Sequence, residues 1–292
     1  MATTLSGSHD VHRAPLPVTA ADVSALAALL SRHHRLVVLT GAGCSTASGI
    51  PDYRNADGDW KRARPVMYAD FIGKEATRRR YWARSLVGFR RMRHVQPNAA
   101  HHALAQLERD GRVTQLITQN VDGLHQAAGS VDAIDLHGRI DTVRCLGCGL
   151  RSRRDVLQRE LERRNPSFAR LDGPDAPDGD ADLADVAFDT FDVPACERCG
   201  GMLKPDVVFF GEGVPPARVE RAMQALQQAD ALLVVGSSLM VYSGFRFALA
   251  MAAEQKPIAA INRGRTRADH LLAMKVDADC GEALQLLVAR LR

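Results

Sequence analysis

Four short apolar runs, each ending in small or polar residues, constrain this chain more than any other feature: LVVLTGAG (36–43), VTQLIT (113–118), ALLVVG (231–236) and PIAAIN (257–262). A strand that is apolar at nearly every position has both faces covered, the condition met in parallel sheets flanked by helices. Helical periods lie between the runs. Thr19 is placed to cap a helix with Val23, Leu26, Leu29 and Leu30 on one face, and NAAHHALAQLERDG (98–111) ends in Gly111. VERAMQALQQA (219–229) and EALQLLVARLR (282–292) repeat the pattern. Strand and helix alternating over most of the length predict an α/β fold with a doubly wound parallel sheet.

With 292 residues the chain can bury a core without cross-links. Four of its six cysteines nevertheless form two C-x-x-C-G knuckles, Cys145/Cys148 and Cys196/Cys199, with 47 residues between them. Two residues between thiolates let both sulfurs face one Zn²⁺, and the glycine permits the turn that brings amides near sulfur. Two knuckles complete a closed tetrahedral site, so the expected metal is one structural zinc without an open position for water. Disulfides are disfavoured by the lack of a secretion signal in residues 1–20, read as a loose arm, and a redox pair would need no second copy. Cys44 and Cys280 carry no nucleophilic assignment.

Two stretches depart from the strand–helix rhythm. Residues 61–93 carry eleven Lys or Arg against two acids, and YWARSLVGF within them reads as a packed helix with a basic outer face. Residues 172–192 carry eight Asp and no basic residue, and read as a solvated loop. The basic segment leaves open a role in meeting acidic substrates. A net charge of +4 does not argue for a polyanion partner, and no run approaches the ~18 apolar residues of a membrane span. Neither a specific nucleic acid nor a membrane is expected.

LTGAGCSTASGIPDYR (39–54) follows the first buried strand. Gly41 and Gly43 let backbone approach phosphate, and a following helix would aim N–H groups at a pyrophosphate. A hydride-transfer fingerprint would have a third Gly where Thr46 stands, so a dinucleotide is expected with different details. TQNVDGLH (118–125), GSS (236–238) and NRG (262–264) close further strands with polar loops, and doubly wound sheets hold ligands at that edge. His137, in LHG (136–138), sits just before the first knuckle, where a small module meets the sheet, and is a candidate proton acceptor.

Taken together, Gly41-Ala42-Gly43-x-Ser45, Ser48-Gly49-Ile50-Pro51-Asp52-Tyr53-Arg54, Gln119-Asn120-Val121-Asp122, His137-Gly138, the paired knuckles, Lys204 to Glu212, Gly236-Ser237-Ser238 and Asn262-Arg263-Gly264 resemble the sirtuin NAD-dependent protein deacylases, in order from about residue 25 to 285. The resemblance implies a Rossmann-like domain (21–60, 94–138 and 206–292), a helical module (61–93) and a zinc-ribbon module (139–205) with the acidic insert. It implies NAD as a consumed co-substrate, held by Gly41, Ala42, Gly43, Gly236, Ser237, Ser238, Asn262, Arg263, Gly264 and Cys280. Ser45, Ile50, Asn120 and Asp122 would form the pocket receiving nicotinamide, Gln119 and Val121 would also bind the cofactor, and Asp52, Tyr53 and Arg54 would lie in a mobile cofactor loop. Asn120 and His137 carry the catalytic assignments, His137 as general base on a ribose hydroxyl after the acyl oxygen displaces nicotinamide. Acyl-lysine peptides would be clamped between 208–211 and 240–243 by strand addition.

Tyr53 stands where many members have Phe, Val121 where many have Ile, and the knuckle spacer is long. These resemble the class II branch, with its mitochondrial lipoamidase and ADP-ribosyltransferase member. Mono-ADP-ribosyl transfer or lipoamidase activity is therefore the alternative within the same site. A hydride-transferring enzyme is disfavoured by Thr46. A zinc-ribbon nucleic-acid binder leaves the four polar loops unexplained. A bacterial, cytoplasmic protein is expected.

Overall fold

A computed structural model describes residues 19–61, 65–174, 176, 179–183 and 186–291; the arm expected at 1–20 lies, up to residue 18, outside them. In chain order the elements are α1 (Ala20–Leu30), β1 (Leu36–Thr40), α2 (Tyr68–Gly73), α3 (Glu75–Met92), α4 (Ala99–Arg109), β2 (Val113–Thr118), α5 (Leu124–Ala127), β3 (Ile134–Asp135) and β4 (Gly138–Cys145). There follow β5 (Arg151–Arg153), α6 (Arg154–Arg164), β6 (Leu203–Val207), α7 (Pro216–Gln228), β7 (Ala231–Val235), α8 (Tyr242–Ala253), β8 (Ile258–Ile261), β9 (Met274–Val276) and α9 (Cys280–Leu291).

The apolar runs pair as a six-stranded parallel sheet in the order β3-β2-β1-β7-β8-β9. Alternation explains why they read as unbroken apolar sequence. Val38, Leu233 and Ile261 face a core closed by α1, α4 and α9, while Val37, Leu232 and Ile258 face a second core under α7 and α8. The order reverses between β1 and β7, opening a crevice at their carboxyl ends. Helix starts follow local chemistry: Thr19 Oγ1 accepts from Asp22 N, and Asn98 caps α4 by accepting from Ala100 N.

β4, β5 and β6 form a separate antiparallel sheet with order β5-β4-β6. A third core joins it to α2, α3 and α6 through Phe71, Trp82, Leu86, Val143, Leu161 and Phe191. The acidic stretch 172–192 departs from the solvated loop expected of its composition. Asp180, Ala181 and Phe191 are each at most 1% exposed, and Ala181 and Leu183 pack on Val87 of α3. The arginines of 61–93 hold it there. Arg84 Nε donates to Ala181 O (2.9 Å), Arg91 pairs with Asp172 (2.5 Å) and donates to Gly173 O, and Arg90 anchors the chain just ahead of the stretch at Ala169 O (2.5 Å) and Leu171 O. Arg79 reaches Asp189 O. Buried Arg154 of α6 lies over the Phe89 ring, with Asp180 among the negative groups that favour its charge. The basic face therefore meets the chain's own acidic insert.

The contact depends on Gly88, where a Cβ would come within 2.4 Å of Asp180 C and Gly179 O. Gly88→Ala should cost about 1–3 kcal/mol through overpacking. Thermal denaturation should register the loss, and limited proteolysis should become faster between 171 and 193; an unchanged midpoint and cleavage rate would contradict the docking.

Candidate functional site

The crevice between β1 and β7 opens into a cavity of about 1060 Å³. Every nucleotide-site residue expected from the sequence lines it except Gly264, and so does His137. The glycines at its floor do a job beyond the one expected. A Cβ on Gly41 would sit 2.7 Å from Ser237 Cβ, and one on Gly43 would sit 3.0 Å from Gly236 O. Their bare faces thus meet the turn after β7, where Gly43 N donates to Gly236 O (2.8 Å). Gly236 has φ +60°, and a Cβ there would strike Cys44 N at 2.3 Å. The helix expected to follow is also absent, replaced by two 3₁₀ turns, Ala42–Cys44 and Thr46–Ser48. Gly49 at φ +91° and Pro51 end the turn, so no extended helix dipole points at the cavity.

One hydroxyl organises the inner wall. Ser45 Oγ donates to Asp122 Oδ2 (2.7 Å) and accepts from Asn120 Nδ2 (2.9 Å), which also donates to Gly41 O (3.1 Å). Asp122 Oδ1 accepts from Leu124 N (2.9 Å). Behind this wall lie two fully buried histidines: His101 Nε2 is 3.4 Å from Ser45 Oγ, and His125 Nε2 is 2.9 Å from Thr40 Oγ1. Burial pushes His101 down to about 4 and His125 to about 3, so both rings are neutral at neutral pH.

His137 sits where β3 gives way to β4, the join between the sheet and the small module. Gln119 O lies 2.9 Å from Nδ1, and a carbonyl only accepts, so the ring proton is on Nδ1 and the lone pair on Nε2. Ser243 Oγ, 2.8 Å away, donates to Nε2. Burial pushes this histidine down to about 4, with Arg218 and Arg246 adding to the shift against the Gln119 contact. Gly138 must be glycine: at φ +83° a Cβ would lie 1.9 Å from Asp206 O. Val208 N donates to His137 O (2.8 Å), tying the imidazole's backbone to the segment after β6.

That segment offers less free edge than strand addition would use. Phe209 N donates to Glu212 Oε2 (2.8 Å), and Phe210 O accepts from Tyr68 N (2.8 Å). A buried ion pair, Lys204 Nζ to Glu212 Oε2 at 3.0 Å, closes the turn from below. The 49–61 segment folds over the cavity as a small flap. Asp52 pairs with Lys61 (2.5 Å), Arg54 lies 4.0 Å over the Trp60 ring and donates to Gly58 O (2.6 Å), and Tyr53, Trp60 and Phe210 meet edge to face.

Gly264 stands outside the lining because it carries the flap: at φ +74° a Cβ would meet Ala56 O at 2.4 Å, and Arg265 N donates to that oxygen (2.8 Å). Buried Asn262 bonds back to Arg263 O (2.8 Å). Cys280 opens α9, capped by Asp279, whose Oδ1 accepts from Gly281 N and Glu282 N. Sequence reasoning missed Trp60, Arg246, Arg265 and Asp279 as lining residues, and placed Ser243 in the substrate clamp without its contact to His137. Arg265, one step past Asn-Arg-Gly, had a local signal; the others depend on tertiary contact.

The four knuckle cysteines converge, with all sulfurs within 4.8 Å. Cys145 and Cys199 are 3.5 Å apart, Cys148 and Cys196 3.8 Å, against the ~3.8 Å edge of a tetrahedron with 2.3 Å Zn–S bonds. Gly149 and Gly200 take positive φ, and the Cys148 amide holds the Cys145 thiol down. The set fits a closed structural zinc.

Two tests follow from this geometry. Cys196→Ser should remove the one zinc per chain found by metal analysis and lower the unfolding midpoint, and two stable disulfides in the native protein would contradict it. His101, His125 and His137 have folded pKa values below their ordinary 6.5, so the unfolded chain binds more protons. Stability should therefore fall as pH drops from about 6.5 toward 4, by up to about 1.4 kcal/mol per pH unit for each ring. Unfolding midpoints that stay flat across that window would refute the neutral rings.

A protein-family model described as the Sir2 family matches residues 41–243. A protein of Xanthomonas campestris pv. campestris named NAD-dependent protein deacetylase is 63% identical over 263 residues, 90% of each chain. One from Bradyrhizobium diazoefficiens, NAD-dependent protein deacetylase 2, is 61% identical over 89% of this chain and 95% of its own. Among solved structures, a Sir2 protein with a p53 peptide and NAD⁺ superposes with a TM-score of 0.73 at 29% identity, over 91% of this chain and 97% of that one.

Proposed function

Because the chain belongs to the Sir2 family, we propose that it is an NAD-dependent protein lysine deacylase of the deacetylase type. It would take acyl-lysine peptides and release nicotinamide, free lysine and O-acyl-ADP-ribose. The observation that carries this reading is His137, a neutral imidazole with its proton fixed on Nδ1 and its lone pair on Nε2, in the same cavity as the polar loops of β1, β2, β7 and β8.

The residues divide the work by chemistry. Asp122 has lone pairs left after bonding Ser45 and Leu124, which suits it to a carboxamide N–H₂ beside Asn120 and Ile50. Gly41–Gly43, Ser237, Asn262 and Arg263, with the backbone at Cys280, would take the adenosine and phosphates. Arg54 and Arg265 supply charge-assisted donors. Breaking the ribose–nicotinamide bond builds positive charge on the sugar, and the flap over 49–61 keeps water from it. His137 Nε2 then accepts the proton of a ribose hydroxyl, its Nδ1–H held by Gln119 O so that the tautomer cannot reverse.

Tyr53, Val121 and the long spacer support a place in the class II branch, where lipoyl removal or ADP-ribosyl transfer is the second reading. Among the described residues no helix is long and apolar enough to cross a membrane.

His137→Ala should lower deacylation about 10²–10⁴-fold at an unchanged unfolding midpoint, and near-normal turnover would remove His137 from the chemistry. Because burial lowers the His137 pKa to about 4, the base-competent form prevails above that value, and the acid limb of kcat/KM should fall below pH 5. With adenylate-labelled NAD and a panel of acetyl, glutaryl and lipoyl peptides, label should leave as soluble acyl-ADP-ribose. Label retained on protein would favour transfer.

A further inference from the structure

We propose that Cys44, His101 and His125 form a second metal site, for a thiophilic d¹⁰ cation of the Zn²⁺ or Cu⁺ type, and that its occupation disables the neighbouring pocket. All three residues are at most 1% exposed, and one ligand atom from each lies within 4.8 Å of the others. One thiolate and two imidazoles make a donor set that suits such ions.

His125 is the observation that points to a ligand. Its Nε2 faces Thr40 Oγ1 at 2.9 Å, and the Thr40 hydroxyl donates onward to Thr118 Oγ1 (2.8 Å). The ring proton therefore sits on Nε2 and leaves a bare lone pair on Nδ1. That buried nitrogen has no hydrogen-bond partner among the described residues. A histidine whose one nitrogen is held by an oxygen while the other is free has the arrangement of a metal ligand. Asp122 adds negative charge, acting on both Cys44 and His101. On binding, the Cys44 Sγ–H proton leaves to solvent and an S–metal bond replaces it, with no change of oxidation state.

The effect on the pocket follows from His101, because both of its nitrogens are engaged. Nδ1 accepts from Asn98 N (3.2 Å), and Nε2 faces Ser45 Oγ (3.4 Å). Ligation through either breaks one of these contacts. Ser45 holds Asp122 and Asn120, and Asn98 holds Cys44 O (2.9 Å) and Ser48 Oγ (3.0 Å), so both routes disturb the pocket wall. Inhibition rests on the deacylase reading above, whereas metal occupancy does not.

The test is metal analysis of the full chain after equilibration with buffered free Zn²⁺, alongside Cys44→Ala, which removes the thiol without placing a polar group in its cavity. Wild type should hold two zinc ions per chain and Cys44→Ala one, the knuckle ion. Co²⁺ in the second site should add a thiolate charge-transfer band that the variant lacks. Acyl-peptide turnover of wild type should fall at least tenfold as the second ion binds, while Cys44→Ala keeps its basal rate. One zinc in both proteins, or two in both, would overturn the site. A second zinc without loss of turnover would overturn its effect on the pocket. If wild type turns over no acyl-peptide at any zinc level, the deacylase reading fails and the metal count still decides the site.

Discussion

The site depends first on a contact between two turns that have no side chain between them. Gly41 and Gly43 lie directly on Gly236 and Ser237, and the Gly43 N–H bonds across to Gly236 O. This closure fixes where the carboxyl ends of β1 and β7 part, and so where the cavity begins. It also leaves the turn's polar groups facing the other way. Gly41 O receives Asn120, and Ser45 Oγ, at the end of the same turn, organises Asn120 and Asp122. The same backbone economy governs His137, whose Nδ1 meets one main-chain carbonyl and whose own carbonyl holds Val208 N.

The sheet was legible because a strand covered on both faces has one signature, an unbroken apolar run, and the chain holds four. β3, with two residues, and β9, whose Met274 and Lys275 are half-buried, are edge strands with no such signature. The polar loops were legible for a related reason: several polar residues directly after a buried strand have few places to go but the open sheet edge. What sequence reading got wrong was local. It saw in Gly41 and Gly43 only room for a ligand, when they also make room for another turn, and it expected a helix after them where two 3₁₀ turns stand.

The acidic insert was misread for a different reason. Composition reports the charge of a segment but not what its backbone packs against, and the arginines that hold its carbonyls and Asp172 lie about 80 to 110 positions away in sequence. An aspartate-rich stretch beside water and one folded onto a basic helix look alike until the fold brings the helix. The small hydrophobic residues scattered through it, Ala181, Leu183 and Phe191 among them, were the available hint. Of the cations that face the cavity, Arg54, Arg246, Arg263 and Arg265 come from elsewhere, and only Lys61, paired with Asp52, belongs to the basic segment.

Docked in this way, α3 and the 172–192 stretch are two halves of one lock, joined through main-chain carbonyls more than through carboxylates. Trimming the insert would strand the guanidinium groups of a basic helix without their carbonyl partners, and swapping those arginines for neutral residues would leave the insert's backbone unanchored. A change in either segment is therefore felt first by the other.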